Sequence, residues 1–352
     1  MPYSFLYSTN PARIVFGPGS LEQIADEVRR LECTRALVLS TPFQREDAER
    51  LSHQLGELGA GVFSEAAMHT PVEVTEQAMA AFAAVKADCV VALGGGSTIG
   101  LGKAIAYRNN APQVVVATTY AGSEVTPILG QTENGVKTTV KDASILPEVV
   151  IYDAELTLGL PVSMSVTSGL NAMAHAVEGL YAKDRNPITT LMAMEGILSL
   201  KEALPVIVER PENVEARSKA LYGSWLCGTV LGTVGMALHH KLCHTLGGSF
   251  NLPHAETHAI MLAHTVAYNA RAAKDVLTPV AELFGGELGG GLYDFARSLG
   301  APLALKELGL TEAELDLAAG LAMKSPYWNP QPVEQEAVRE LLQYAWSGAR
   351  PE

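Results

Sequence analysis

Apolar and polar positions follow two rhythms along the chain, and the change falls near Leu160-Pro161. Before it, short runs of valine, isoleucine and leucine alternate with amphipathic stretches. "ARIVFG", "RALVLST", "DCVVALGGG", "QVVVATT" and "VVIYD" read as buried strands. "SLEQIADEVRRLE", "REDAERLSHQLGELG" and "TEQAMAAFAAVKA" carry helical spacing, and Ser20 is predicted to cap the first, with Gln23 closing a capping box. Such alternation gives a mostly parallel sheet covered by helices. After Pro161 the strand-like runs stop. "SMSVTSGLNAMAHAVEGLYA", "PITTLMAMEGILSLKEAL" and "VEARSKALYGSWLCGTVLG" predict helices, and "LFGGELGGGLYDF" reads as a Gly-rich loop between helices. The expected organisation is an α/β domain over residues 1–160 and an all-α domain over residues 161–352.

One strand ends in a glycine run that changes this picture. "VVALGGGSTIGLGKAIA" is a strand, then Gly94, Gly95, Gly96 and Ser97, then a helix. Bare amides at a helix N-terminus can approach a pyrophosphate closely, which makes the first domain a candidate for dinucleotide binding, the other reading being a tight strand-to-helix turn. The spacing is not GxGxxG and the turn follows a late βα unit, so the arrangement is not an ordinary Rossmann one. Thr118, Thr119 and Ser123 in "ATTYAGSEVTP" place hydroxyls at the carboxyl end of the next strand. Where an acid would select NAD by holding the ribose 2′-hydroxyl, the chain has Ser40-Thr41. Use of either NADH or NADPH is therefore expected.

Charge narrows the class of partner. The chain of 352 residues has 25 Lys and Arg against 38 Asp and Glu, a formal charge of −13. That argues against nucleic acid or an anionic membrane, and requires local positive charge if the substrate is an anion. No uncharged apolar stretch is long enough to span a bilayer, and the opening segment lacks the pattern of a signal peptide. Four scattered cysteines without CxxC suit a reducing, cytoplasmic setting.

The histidines bring in the chemistry. "HHKLCHTLGGSFNLPH" holds four of the nine in the chain. Asn171 and His175 share one helical face, His240 and His244 repeat that spacing, and His254 follows in the next loop. Four N/O ligands with a carboxylate among them would suit a divalent ion, but Asn171 offers only a neutral amide oxygen. Glu178, one turn beyond His175, is a candidate to orient a ring, or else a solvated helix charge.

Gly-Gly-Gly-Ser before a helix, "TTYAGSEVT", "GLNAMAHAVE" and "HHKLCHTLGGSFNLPH", together with "FGPGSL" near the start, resemble the iron-containing (group III) alcohol dehydrogenases. The resemblance spans nearly the whole chain. It implies a dehydroquinate synthase-like fold, with an N-terminal dinucleotide-binding α/β domain, a helical C-terminal domain and an active site in the cleft between them. It also implies a homodimer, a lysine near the cofactor at Lys137, and a metal held by an Asp and three His, which fall here on Asn171, His175, His240 and His254. Three departures point to one branch. The metal-binding Asp is Asn171, the usual acid after GGGS is Gly100 although Lys103 is kept, and "TTYAGSE" is one residue short. A fourth, Gln331 in "WNPQPV", stands where that branch often has arginine. The branch so resembled reduces maleylacetate, a small dianion, to 3-oxoadipate with NADH or NADPH during the breakdown of aromatic compounds.

That chemistry changes what the histidines are needed for. Reducing a C=C conjugated to a ketone develops an enolate, less basic than an alkoxide, so hydrogen-bond donors can stand in for a metal. His240, His244 and Lys241 are expected to polarise the ketone and deliver the proton, while His175, His254 and Asn171 orient the substrate; no metal is expected to be required. Imidazolium rings would also attract the dianion. The alternative is a metal-dependent alcohol or lactaldehyde dehydrogenase of the same family with Asn171 as a weak ligand.

Overall fold

The computed structural model describes residues 5–8, 12–133, 136–324 and 326–352. It divides into two compact units, Thr9–Leu160 and Met1–Ser8 with Pro161–Glu352. In the first, β1 (Arg13–Phe16), β2 (Ala36–Leu39), β3 (Gly59–Phe63), β4 (Cys89–Gly94), β5 (Gln113–Ala117) and β8 (Val149–Tyr152) form one parallel sheet in the order β1-β8-β5-β4-β2-β3. β6 (Ile128–Glu133) and β7 (Val136–Lys141) make a separate antiparallel pair. Helices α1 (Ile24–Arg30), α2 (Arg45–Gln54), α3 (Val72–Ala84) and α4 (Gly96–Asn109) connect the parallel strands. The chain runs outward from β2 to β3, returns to β4 on the other side of β2, and then continues to β5. The carboxyl ends of β2 and β4 therefore flank a topological switch point, where open α/β sheets bind ligands.

Two strands escape the sequence pattern. β3 is "GAGVF", whose glycines hide it, and the β6–β7 pair alternates too weakly to be told from loop. The cap predicted for the first helix is also corrected. Residues Ser20–Gln23 form a 3-10 turn after the left-handed Gly19, and the Ser20 hydroxyl donates to the Tyr152 carbonyl instead. Asp153 supplies the cap from the end of β8, accepting from Gly19 N and Leu21 N, each at 3.1 Å.

The second unit is helical: α5 (Val162–Leu180), α6 (Pro187–Glu209), α7 (Val214–Thr233), α8 (Leu238–Phe250), α9 (His254–Asn269), α10 (Lys274–Leu283), α11 (Leu288–Ser298), α12 (Leu315–Ala322) and α13 (Gln335–Ser347). No single helix among the described residues is long and apolar enough to cross a membrane. α5 is buried from Ser165 to its end, packed by α6, α7 and α9. Asn186 fixes the start of α6 through a capping box with Thr189, and Asn213 caps α7. The "LFGGELGGGLYDF" segment is not a loop throughout, since Gly289, Gly290 and Gly291 lie inside α11. A Cβ on Gly289 would stand 2.6 Å from that of Ala267, so the glycine lets α11 pack closely on α9. His254, expected in a loop, is the first residue of α9.

Candidate active site

In the α/β unit the expected cofactor residues gather at the crest of the sheet. Gly94 ends β4 with φ +152°, and a Cβ there would lie 2.5 Å from the Thr98 hydroxyl. A Cβ on Gly95 would strike Thr119, whereas Gly96, exposed at the start of α4, has nothing within 4 Å of that position. Ser97 is part-exposed in the same first turn, and Thr118 accepts from Gln44 Nε2 at 3.2 Å. Thr41 stands at the carboxyl end of β2 with its side chain part-exposed. The hydroxyls of Ser40, Thr98 and Ser123 are buried without hydrogen-bond partners. A glycine cradle at a helix N-terminus with unspent hydroxyls nearby fits the phosphates and ribose of a dinucleotide.

Lys103 is structural. Its ammonium donates to the Ser123 carbonyl at 2.5 Å and to the Thr126 hydroxyl and Ile128 carbonyl at 2.9 Å each, pinning the loop after β5 to α4. Burial brings its pKa down to about 7. Lys137 lies on β7 beside His69, and Lys141 and Lys324 are exposed.

In the helical unit α5 presents Asn171, His175 and Glu178 along one stripe at i, i+4 and i+7, all buried. Glu178 joins α5 to α8. One carboxylate oxygen accepts the His239 N–H at 2.7 Å in the first turn of α8, and the other lies 2.5 Å from His240 Nδ1. An acid at a helix N-terminus satisfies an otherwise orphaned amide and meets the positive end of the helix. The same contact fixes the His240 ring: Nδ1 donates to the carboxylate, leaving Nε2 to accept from His175 Nδ1 at 2.9 Å. His239 bridges the Thr265 hydroxyl and His258 Nδ1, at 2.9 Å each.

His258 was not singled out from the sequence, yet it sits at the centre of the cluster. Its ring lies 4.4 Å from that of His254, 4.8 Å from His239 and 5.0 Å from His240. The signal that could have found it is "NLPHAETH": a proline before a helix start puts His254 and His258 one turn apart. Burial pushes His239 and His240 down to about 3 and His258 well below its ordinary value. Burial also raises Glu178, against the pull of His239 and the surrounding amides. Of the rings expected to carry protons and attract a dianion, His240 is the one in this group, and burial favours its neutral form.

Lys241 and His244 reach toward Tyr327, and the His244 ring also lies 5.9 Å from that of His240. The Lys241 ammonium donates to the Lys324 carbonyl at 2.7 Å and lies 5.8 Å from the centre of the Tyr327 ring; His244 Nδ1 is 3.2 Å from the Tyr327 hydroxyl. Adjacent residues on a helix point about 100° apart, so Lys241 does not share the face of His240. Its pKa is lowered by partial burial.

The residues that could hold a divalent ion are not the four that the family implies. The ring nitrogens that converge belong to His175, His240 and His258, with ligand atoms within 4.8 Å of one another, rather than to the set containing His254 that the family implies. His175 and His240 are hydrogen-bonded at 2.9 Å, whereas ligands of one tetrahedral zinc stand about 3.3 Å apart. The only oxygen that Asn171 offers is a neutral amide, buried and without a hydrogen-bond partner.

Comparison with known proteins fixes the family. The model of the iron-containing alcohol dehydrogenases matches residues 11–154, and that of the C-terminal region of the Fe-containing alcohol dehydrogenase family matches residues 165–346. The chain belongs to the iron-containing alcohol dehydrogenase family. It is 66% identical over 348 residues to a maleylacetate reductase of Rhizobium sp. (strain MTP-10005), covering 99% of both chains. It is 52% identical over 349 residues to a maleylacetate reductase of Burkholderia cepacia, again covering 99% of both. The crystal structure of maleylacetate reductase from Agrobacterium tumefaciens superposes with a TM-score of 0.95 at 65% identity, over 99% of each chain.

Proposed function

We propose that this oxidoreductase reduces the conjugated C=C of maleylacetate to give 3-oxoadipate, with NADH or NADPH, in the catabolism of aromatic compounds. The observation that carries the reading is the cluster of His175, His240 and His258, in a chain 66% identical over nearly its full length to a relative bearing that name.

Gly94, Gly95, Gly96, Ser97, Thr118, Thr119 and Ser123, with Thr41 toward the ribose and Lys137, would hold a reduced nicotinamide cofactor, which would supply hydride for the carbon β to the ketone. The π bond breaks as the new C–H bond forms, and the electron pair moves onto the ketone oxygen as an enolate. Lys241 and His244 polarise that oxygen and return a proton to the α carbon. Because burial favours the neutral forms of His239, His240 and His258, Lys241 supplies the positive charge that a dianion needs. His240 acts as a neutral ring oriented by Glu178. His175, His254 and Asn171 orient the substrate, with the Asn171 amide available to a carboxylate. No step needs a metal.

The same reading makes the enzyme a cytoplasmic homodimer with a small dianion as its substrate and neither nucleic acid nor membrane as partner. A steady-state assay tests the function. NADH oxidation on adding maleylacetate, with rates at least about a hundredfold below it for simple aldehydes, is the expected result. Preference for an aldehyde would return the enzyme to ordinary alcohol dehydrogenase chemistry.

A further inference from the structure

The loop from Ser64 to Pro71, between β3 and α3, has no part in the steps above, yet its backbone is unusual. His69 (φ 64°) and Thr70 (φ 47°) are consecutive left-handed residues, and a β-branched side chain opposes that state. Contacts on two sides hold them there. Thr70 is buried against α4, where a Cβ on Gly100 would run into its hydroxyl. On the other side Thr132 N donates to the Thr70 carbonyl at 3.2 Å, and Pro71 bridges to Thr132. Thr132 is the cross-strand partner of Lys137. The loop, α4 and the β6–β7 pair thus set the Lys137 ammonium 3.4 Å from His69 Nδ1.

An ammonium can only donate, so Nδ1 accepts and the ring proton lies on Nε2. That Nε2 is buried and finds no hydrogen-bond partner. An unspent N–H beside an ammonium is an arrangement that an anionic oxygen completes. Burial and the neighbouring ammonium both disfavour a charged ring, so His69 serves as a neutral donor.

We propose that His69 is a positioning residue for Lys137, and that the pair receives an anionic oxygen of the reactants, either a substrate carboxylate or a cofactor phosphate. The identity of those reactants rests on the function proposed above. The proposal also gives Gly100 a reason. An acid at that position would displace Thr70 and set negative charge close to the loop that holds the pair.

Full-length His69→Leu and His69→Gln provide the test. Neither residue is favoured in the left-handed region, so backbone effects are matched, but only glutamine can accept from Lys137 and donate onward. Maleylacetate turnover and NADH binding by fluorescence titration are measured on both, with thermal unfolding as a check on folding. His69→Leu is expected to raise one constant by about tenfold or more, while kcat and the constants of His69→Gln stay within about threefold. A raised KM for maleylacetate assigns the oxygen to a carboxylate, and a raised Kd for NADH assigns it to a phosphate. Equal losses in both variants, a fall in kcat alone, or no change in either constant overturns the proposal. Wild-type protein that binds NADH without turning over maleylacetate would sink the functional reading instead, and the NADH titration would still report on His69.

Discussion

Glu178 does two things with one carboxylate: it caps α8 at His239 and fixes the proton of His240 on Nδ1. In Glu178→Gln the amide oxygen can still cap α8, but the amide NH2 then faces His240 Nδ1 and demands the opposite tautomer. We expect kcat for maleylacetate to fall about 10- to 100-fold with little change in thermal midpoint, measured by steady-state kinetics and thermal unfolding. Asn171→Asp tests the same cluster from its other end. The added carboxylate is expected to let the protein retain a divalent ion through gel filtration, read by elemental analysis, and to lower C=C reduction. At this scale much of the candidate cluster's placement was legible. The i, i+4 and i+7 spacing puts Asn171, His175 and Glu178 on one face whatever the tertiary structure. His258 was not, because its place depends on α9 starting at His254, and His69 sits in "AAMHTP", which has no periodicity to read.

Among the elements, glycine separates what the sequence showed from what it hid. Long amphipathic or valine-rich stretches became the helices and strands their pattern predicts. Glycine lowers helix propensity by about 1 kcal/mol per residue relative to alanine, so "GGELGGG" reads as loop until the packing partner is known. That partner is α9, and the close approach at Ala267 overrides local preference. Gly289→Val is therefore expected to destabilise the protein by about 1–3 kcal/mol through overpacking, seen as a lower midpoint in urea. The same substitution at Gly96, where nothing lies within 4 Å of the Cβ position, should change stability far less and cofactor binding far more.

For the whole molecule, neutral buried histidines set the acid limit. His239 and His240 titrate at about 3 and His264 at about 4 in the folded state, against an ordinary value of 6.5. Between these values and 6.5 these three rings bind more protons in the unfolded chain than in the folded one, so their contribution to stability rises with pH across that window. We expect the unfolding midpoint to drop as pH falls from about 6.5 toward 4, and His264→Phe to make that fall shallower. The two-domain composition and the family were readable from motif order. The charge state of the cluster was not, because it depends on burial that no spacing reveals. Turnover of maleylacetate by protein stripped with chelator and verified metal-free by elemental analysis decides whether this site reduces a conjugated C=C without a metal. Undiminished turnover is expected; loss of activity on stripping and its return with iron or zinc would show that the reaction depends on one.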